Sequence, residues 1–145
     1  MTEQQNELIK WLNRAFYAEK KLKALEHLRE SDRERAERIT SVLGGNIKGK
    51  SDTRQNNAEN SLIRLACSEE KYERFLDRYI SLREEVEKKI SDLHNDELEA
   101  LFIYRYLDYM TMEKIAEEMH YDERTIKRKH KAGIEKLSPN VTLCH

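Results

Sequence analysis

Residues 98–137 of the chain read LEALFIYRYLDYMTMEKIAEEMHYDERTIKRKHKAGIEKL. The apolar residues of this stretch recur every three or four positions, which is the spacing of helices that bury one face. Thr111 and Asp122 each precede such a run, and both residue types favour the position before the first turn of a helix. The spacing predicts a short helix up to about Tyr106, a second helix over MEKIAEEM, a three-residue turn HYD and a last helix over residues 123–137. Two helices joined by so short a turn are typical of a helix-turn-helix.

Positive charge is concentrated in the last of these helices. Residues 123–137 contain six basic and two acidic residues, whereas MEKIAEEM contains three glutamates and one lysine. A helix that enters the major groove needs side chains near its N-terminus that reach base edges, and flanking cations that contact phosphates. The candidate DNA-binding residues are Arg124, Thr125, Lys127, Arg128, Lys129 and Lys131. The alternative is an ordinary solvated basic face without a ligand.

The composition favours an all-α protein with long, exposed helices. Charged residues make up 38% of the 145 residues, and there are only four glycines and one proline. The formal net charge of −1 means that any nucleic-acid contact must come from a local basic surface. The first residues, MTEQQNELIK, lack the apolar core of a signal peptide, and no apolar run approaches the roughly 18 residues that a membrane span needs. The two cysteines are too far apart for a zinc site and do not suggest a disulfide framework. We therefore expect a cytoplasmic protein with no membrane partner.

The first 93 residues are predicted to form a long antiparallel helical hairpin. Apolar residues follow helical spacing from Thr2 to about Leu43 and again from about Ala58 to Leu93. Residues 44–57, GGNIKGKSDTRQNN, have no such spacing and are predicted to be a flexible loop. The seam of the second helix is predicted to consist of Leu62, Leu65, Glu69, Tyr72, Leu76, Tyr79, Arg83, Val86, Ile90 and Leu93. The same stripe could pair between subunits, which would give a homo-oligomer through the N-terminal helices.

Residues 95–137 resemble region 4 of bacterial sigma factors and the related helix-turn-helix of phage ArpU-like late transcriptional regulators. The residues that carry the resemblance are Tyr106 and Leu107, Thr111, Ile115 and Ala116, Asp122, Thr125 and Ile126, and Lys136 and Leu137. The resemblance implies a phage or prophage transcriptional regulator that reads promoter DNA with helix 123–137. Its implied partners are double-stranded DNA and host RNA polymerase.

The sequence differs from these families at two positions. Members often have glycine where this chain has Tyr109 and His120, and such positions tend toward positive φ. Holding a tyrosine in that conformation costs on the order of 1 kcal/mol, whereas a histidine tolerates it better. We therefore expect the loop before Thr111 to follow a different path from that of the families.

Two other functions are compatible with the same residues. One is an oligomeric DNA-packaging protein similar to phage small terminase subunits, although their helix-turn-helix usually precedes the oligomerisation helices. The other is a protein-interaction module that binds RNA polymerase.

The sequence does not suggest an enzyme. It has no phosphate-binding glycine loop and no nucleophile elbow, so we expect no catalytic residues and no cofactor. Glu117 and His120 form a single Glu-x-x-His, whereas a di-iron site needs a second copy and two more carboxylates, so no metal site is expected. Cys67 is predicted to be a small core residue, and residues 138–145 are predicted to be a tail outside the fold.

Overall fold

The computed structural model describes residues 2–45 and 52–138, with side chains described for residues 2–42 and 55–138. Within these residues all regular structure is helical, so the predicted all-α class is confirmed. No described helix is long and apolar enough to cross a membrane. The described helices are α1 (Glu3–Leu12), α2 (Arg14–Gly45), α3 (Asp52–Ser91), α4 (Asp96–Tyr106), α5 (Met112–Met119) and α6 (Glu123–Leu137).

The helix predicted from Thr2 to Leu43 is interrupted at Asn13. The backbone N–H of Asn13 still donates to the Ile9 carbonyl at 3.0 Å, and the N–H of Tyr17 donates to the Asn13 carbonyl at 3.3 Å. The Arg14 Nε donates to the Trp11 carbonyl at 3.0 Å, so a side chain supplies one of the hydrogen bonds at the interruption. No glycine or proline marks this position, and apolar spacing alone does not predict it.

The loop predicted at residues 44–57 is too long. α2 continues to Gly45 and α3 begins at Asp52, so residues 52–57 are helical although their sequence DTRQNN has no apolar periodicity. A polar segment can be helical when it extends a helix whose packed face begins further along the chain. Residues 46–51 of the predicted loop and residues 139–145 of the predicted tail lie outside the described residues.

The chain divides into two compact units that differ from the predicted domains. The first unit comprises the chain up to Ala18 and the chain from Tyr79 onward, and the second comprises Glu19–Arg78. The predicted boundary between residues 93 and 95 therefore lies inside the first unit. The physical reason is that α1 packs on α6, and that the end of α3 contributes to the same core.

One hydrophobic core holds the first unit together. α4, α5 and α6 pack on one another, and α1 packs on α6. The core residues are Leu8, Leu12, Ala15, Val86, Ile90, Leu93, Leu101, Phe102, Tyr106, Leu107, Ile115, Ala116, Ile126, Ile134 and Leu137. The C-terminal helices therefore rest on a base that includes residues from both ends of the predicted hairpin.

In the second unit, α2 and α3 are paired in opposite directions. Arg33 Nη2 lies 3.7 Å from Glu69 Oε1, and the Arg29 guanidinium lies 4.1 Å from the centre of the Tyr72 ring. Further back along α2, Lys21 Nζ lies 4.8 Å from the centre of the Phe75 ring. The residue numbers of the partners on α3 thus increase as those on α2 decrease, as an antiparallel pair requires.

The inner face of α3 in this unit agrees with the predicted seam at Glu69 and Tyr72, which contact α2, but not at every position. Leu62 is 52% exposed, and Cys67 is exposed, so the prediction that Cys67 is a core residue is wrong. The buried positions are instead Ala58, Ser61 and Ser68. Ser68 Oγ donates to the Leu65 carbonyl at 3.0 Å, which satisfies its hydroxyl inside the helix pair. Apolar spacing misses such a face because two of its residues are serines.

Candidate nucleic-acid interface

Local capping determines where the helices around the candidate site begin. Asn95 Oδ1 accepts the N–H of Leu98 at 3.0 Å, and Thr111 Oγ1 accepts the N–H of Lys114 at 3.2 Å. Both residues cap their helices, and Thr111 does so as predicted. α6 begins directly after Asp122 as predicted, but no backbone amide donates to the Asp122 carboxylate.

The carboxylate of Asp122 has a different partner. It accepts the hydroxyl hydrogen of Thr125, one turn into α6, and this bond is the main reason why the pKa of Asp122 lies below its usual value. Thr125 is half-buried. The Thr125 side chain, which was predicted to contact DNA, is therefore hydrogen-bonded within the first turn of α6.

The turn between α5 and α6 is fixed by the end of α5. The N–H of His120 points to the Glu117 carbonyl at 3.4 Å, and the N–H of Tyr121 donates to the Ala116 carbonyl at 3.0 Å. His120 has φ 59°, so these bonds form a Schellman arrangement with a left-handed residue at its usual place. The chain thereby reverses within residues 120–122 and enters α6.

Tyr109 also adopts positive φ, at 59°, so the expectation that the chain avoids this conformation here is wrong. Its hydroxyl lies 2.8 Å from the Tyr79 hydroxyl and receives a hydrogen bond of 3.3 Å from Arg83 Nη1. Its ring lies 5.6 Å, between centroids, from that of Phe16. These contacts offset a backbone cost on the order of 1 kcal/mol.

Arg83 is one of two charged residues on the predicted seam of α3, and its side chain has hydrogen-bond partners. Its Nη1 donates to the Leu107 carbonyl at 2.8 Å and to the Tyr79 hydroxyl at 3.1 Å. Arg83 therefore links α3 to the segment that leads into α5. The tyrosine hydroxyls raise the pKa of Arg83 despite its partial burial.

His130 lies on the buried face of α6. Its Nε2 shares a hydrogen bond of 2.6 Å with the Tyr106 hydroxyl, and its ring stacks on Phe102 with the centroids 5.2 Å apart. Burial lowers the pKa of His130 to about 4, with a smaller contribution from the positive charge of Arg105. His130 is therefore neutral near pH 7 and belongs to the core rather than to the basic face.

Gly133, one turn further along α6, lets the helix approach α4 closely. A Cβ placed there would lie 2.4 Å from Phe102 Cε1 and 2.6 Å from Cζ. Phe102 is fully buried, so its ring has little freedom to move away.

The outer face of α6 carries exposed cations. Arg124, Lys127, Arg128 and Lys131 are all exposed, and their spacing of three and four places them on one side of the helix. Lys127 Nζ lies 3.3 Å from Glu123 Oε1. Within the described part of the chain, Arg124, Arg128 and Lys131 form no salt bridge. Four of the six predicted DNA-binding residues thus share one accessible surface, which we call the basic face.

Lys129 does not belong to the basic face. Its Nζ lies 2.6 Å from Glu97 Oε1 of α4 and 4.9 Å from the centre of the Tyr121 ring. Glu97 Oε2 also accepts the Tyr121 hydroxyl at 2.7 Å. These bonds, that from Lys129 first, hold the pKa of Glu97 below its usual value.

Glu97, Tyr121 and Lys129 form a polar cluster that was not predicted from the sequence. The Tyr121 side chain is 39% exposed, and its hydroxyl is bonded to Glu97. No local signal marks this cluster, because Glu97 is 24 residues from Tyr121 and 32 from Lys129.

Comparison with known proteins adds no family to this description. No protein-family model matches the chain, and neither curated proteins nor solved structures gave a match.

Proposed function

We propose that the protein is a DNA-binding transcriptional regulator and that the N-terminal half of α6 enters the major groove. The observation that carries this proposal is the basic face: four exposed cations on one side of α6, whose other side is packed in the core. α5, the turn at residues 120–122 and α6 have the order and spacing of a helix-turn-helix, with α4 packed beneath them.

The positions on α6 suggest distinct roles for the four cations. Arg124 and Arg128 lie in the first two turns, where guanidinium groups of a recognition helix can contact base edges. Lys127 and Lys131 flank them and are suited to phosphates, which accept cations without regard to sequence. Thr125 and Lys129 have a structural role in this proposal. Thr125 bonds α6 to Asp122 of the turn, and Lys129 bonds α6 to Glu97 of α4.

The resemblance to sigma region 4 and to ArpU-like regulators extends the proposal beyond the basic face. It suggests promoter DNA as the target, a phage or prophage origin, and RNA polymerase as a protein partner.

The test begins with selection of duplexes from a random pool by the full-length protein. Binding of an enriched duplex and of its shuffled version is then measured by fluorescence anisotropy at physiological salt. We expect the enriched duplex to bind about 10³-fold tighter or more. No enrichment, or equal and weak binding of both duplexes, would exclude a sequence-specific regulator.

Variants then test the basic face. Arg128→Ala should weaken binding of the enriched duplex about 10-fold or more and relax its sequence preference, because one bidentate base contact is worth about 1–3 kcal/mol. Lys131→Ala should weaken both duplexes equally and reduce the slope of log affinity against log salt by about 1.

Lys10→Ala is the matched control. Lys10 is exposed on the side of α1 opposite to the buried Leu8 and Leu12, and α1 packs on the inner side of α6. This variant removes one charge while leaving the basic face intact, so it should bind both duplexes as the wild type does. A loss equal to that of Arg128→Ala would show that the basic face is not the DNA-binding surface.

A further inference from the structure

A second basic surface lies in the unit Glu19–Arg78 and has a different character. It is a shallow groove between α2 and α3, lined by Lys21, Leu25, Lys71, Arg74, Phe75 and Arg78. We call it the cationic groove. We propose that it binds an acidic peptide segment of a partner protein, with an apolar side chain of that segment placed on Leu25 and Phe75. This proposal does not depend on DNA binding by α6.

The lining carries four cations and no carboxylate, in a chain whose formal net charge is −1. Arg74 pairs with Glu70, its neighbour one turn earlier on α3. Among the described residues, Lys21, Lys71 and Arg78 have no carboxylate partner. Positive charge is therefore left unbalanced around the groove, which favours an anionic ligand.

The floor of the groove is apolar. Leu25 and Phe75 are each half-buried. The charged groups of Lys21 and Arg78 lie over the Phe75 ring. Lys21 Nζ lies 4.8 Å from the centre of this ring, and the Arg78 guanidinium carbon lies 5.8 Å from it. A ligand that fills the groove must therefore offer an apolar group with negative charges on either side.

An acidic amphipathic peptide meets this requirement better than DNA does. The phosphate backbone of a duplex has no apolar group that could cover Leu25 and Phe75, and its bases are stacked inside. A peptide with leucine or phenylalanine flanked by aspartate or glutamate offers both. On α2, Leu28 is 42% exposed one turn beyond Leu25, so the apolar floor is continued along the helix in the way that suits a helical ligand.

The test uses fluorescein-labelled peptides of about three helical turns, with apolar residues at helical spacing and aspartate or glutamate elsewhere. Each is compared with a charge-swapped peptide in which lysine replaces every acidic residue. The full-length protein should bind the acidic peptides at least 10-fold tighter than the swapped ones, and added salt should weaken this binding. Equal binding of both peptide sets would overturn the proposal.

Charge reversal in the groove provides the second measurement. Lys71→Glu and Arg78→Glu change exposed side chains, and each should weaken binding of the acidic peptide about 10-fold. Arg35→Glu is the matched control, because Arg35 is exposed on α2 in the same unit but does not line the groove. Equal losses in all three variants would show a general charge effect and no groove site.

Duplex DNA serves as the competing ligand. Unlabelled duplex is added to the bound acidic peptide in the double variant Arg124→Ala/Arg128→Ala, which removes the two proposed base-reading side chains. The peptide should stay bound. Displacement by duplex would show that the cationic groove is a nucleic-acid site and would overturn the peptide proposal, whereas failure of DNA binding in the wild type would affect only the proposed function.

Discussion

Phe102 of α4 packs against His130 and Gly133, two residues on the buried side of α6. Its ring stacks on His130 and fills the space that a side chain at position 133 would need. Both contacts lie within one turn of the helix that carries the basic face. The position of α6 on α4 therefore depends on a glycine and on a histidine that stays neutral.

We predict that Gly133→Ala lowers the free energy of unfolding by about 2 kcal/mol. Overpacking a core costs about 1–3 kcal/mol, and contacts of 2.4 and 2.6 Å to a buried ring place this clash at the upper end. Alanine regains about 1 kcal/mol as a better helix former, so the clash prevails. Urea denaturation of both proteins measures the difference.

The same substitution in a Phe102→Leu background serves as its control. Leucine lacks the ring edge that the new Cβ meets, so Gly133→Ala should cost clearly less there. An equal cost in both backgrounds would mean that the clash with Phe102 is not the cause.

His130 predicts a specific dependence of stability on pH. In the unfolded chain its pKa is about 6.5, and in the folded chain burial lowers the pKa to about 4. Between these values the unfolded chain binds more protons, so the free energy of unfolding falls as pH is lowered from about 6.5 to about 4. The loss over this range is on the order of 3 kcal/mol.

Unfolding measured at several pH values tests this dependence. His130→Gln should remove most of the pH dependence that is specific to this range, whatever its effect on stability at pH 7. His27→Gln, which replaces an exposed histidine of α2, should retain it. If the wild type and His130→Gln show the same slope, protonation of His130 does not control acid stability.

Two turns adopt the same left-handed backbone conformation but are stabilised by different contacts. Tyr109 and His120 both have φ 59°. The Tyr109 side chain bonds to α3 residues and contacts Phe16, whereas His120 is exposed at the end of α5. The turn at Tyr109 is stabilised by the contacts of the tyrosine side chain. The turn at His120 is stabilised by the backbone hydrogen bonds at the end of α5.

We predict that glycine substitutions at these positions change stability in opposite directions. His120→Gly should raise the free energy of unfolding by about 0.5–1 kcal/mol, because glycine adopts positive φ without strain. Tyr109→Gly gains the same relief but loses the ring contacts and the hydroxyl bonds, so it should lower the free energy by about 2 kcal/mol or more. Thermal and urea unfolding provide the measurement, and destabilisation by both substitutions would contradict the account given for His120.

Several elements of this protein are predictable from sequence because their signals are local. Thr111 and Asp122 precede helices that begin where expected, and α6 spans residues 123–137 as predicted. Partners distant in the chain were not predictable. Apolar spacing shows which side of α6 is buried, but it does not show that Lys129 meets Glu97 of α4. The partner of Lys129 therefore became visible only in the folded structure.

The buried apolar residues are distributed unevenly over the whole molecule. The first unit contains the large side chains of the core, such as Phe102 and Tyr106. Among the described side chains of the second unit, the buried residues are Leu22, Ala36, Ala58, Ser61 and Ser68. A unit that buries so little apolar area has a weak local driving force for folding.

We predict that the second unit opens more readily than the first. In native-state hydrogen exchange, amides of α2 and α3 between Glu19 and Arg78 should exchange several-fold to many-fold faster than those of α4 and α6. Equal protection of both units in the isolated protein would contradict this prediction. The acidic peptide proposed for the cationic groove should slow exchange in the second unit alone, and the charge-swapped peptide should not.

The separation between the two sides of α6 has a practical consequence for protein engineering. Ile126, His130, Gly133, Ile134 and Leu137 are committed to the interior, whereas Arg124, Arg128 and Lys131 have no salt bridge within the described chain. A combinatorial library restricted to positions 124, 127, 128 and 131 would therefore change the chemistry of the outer side and leave the scaffold intact. Such a library could be selected directly for new binding preferences, without a separate round of selection for stability.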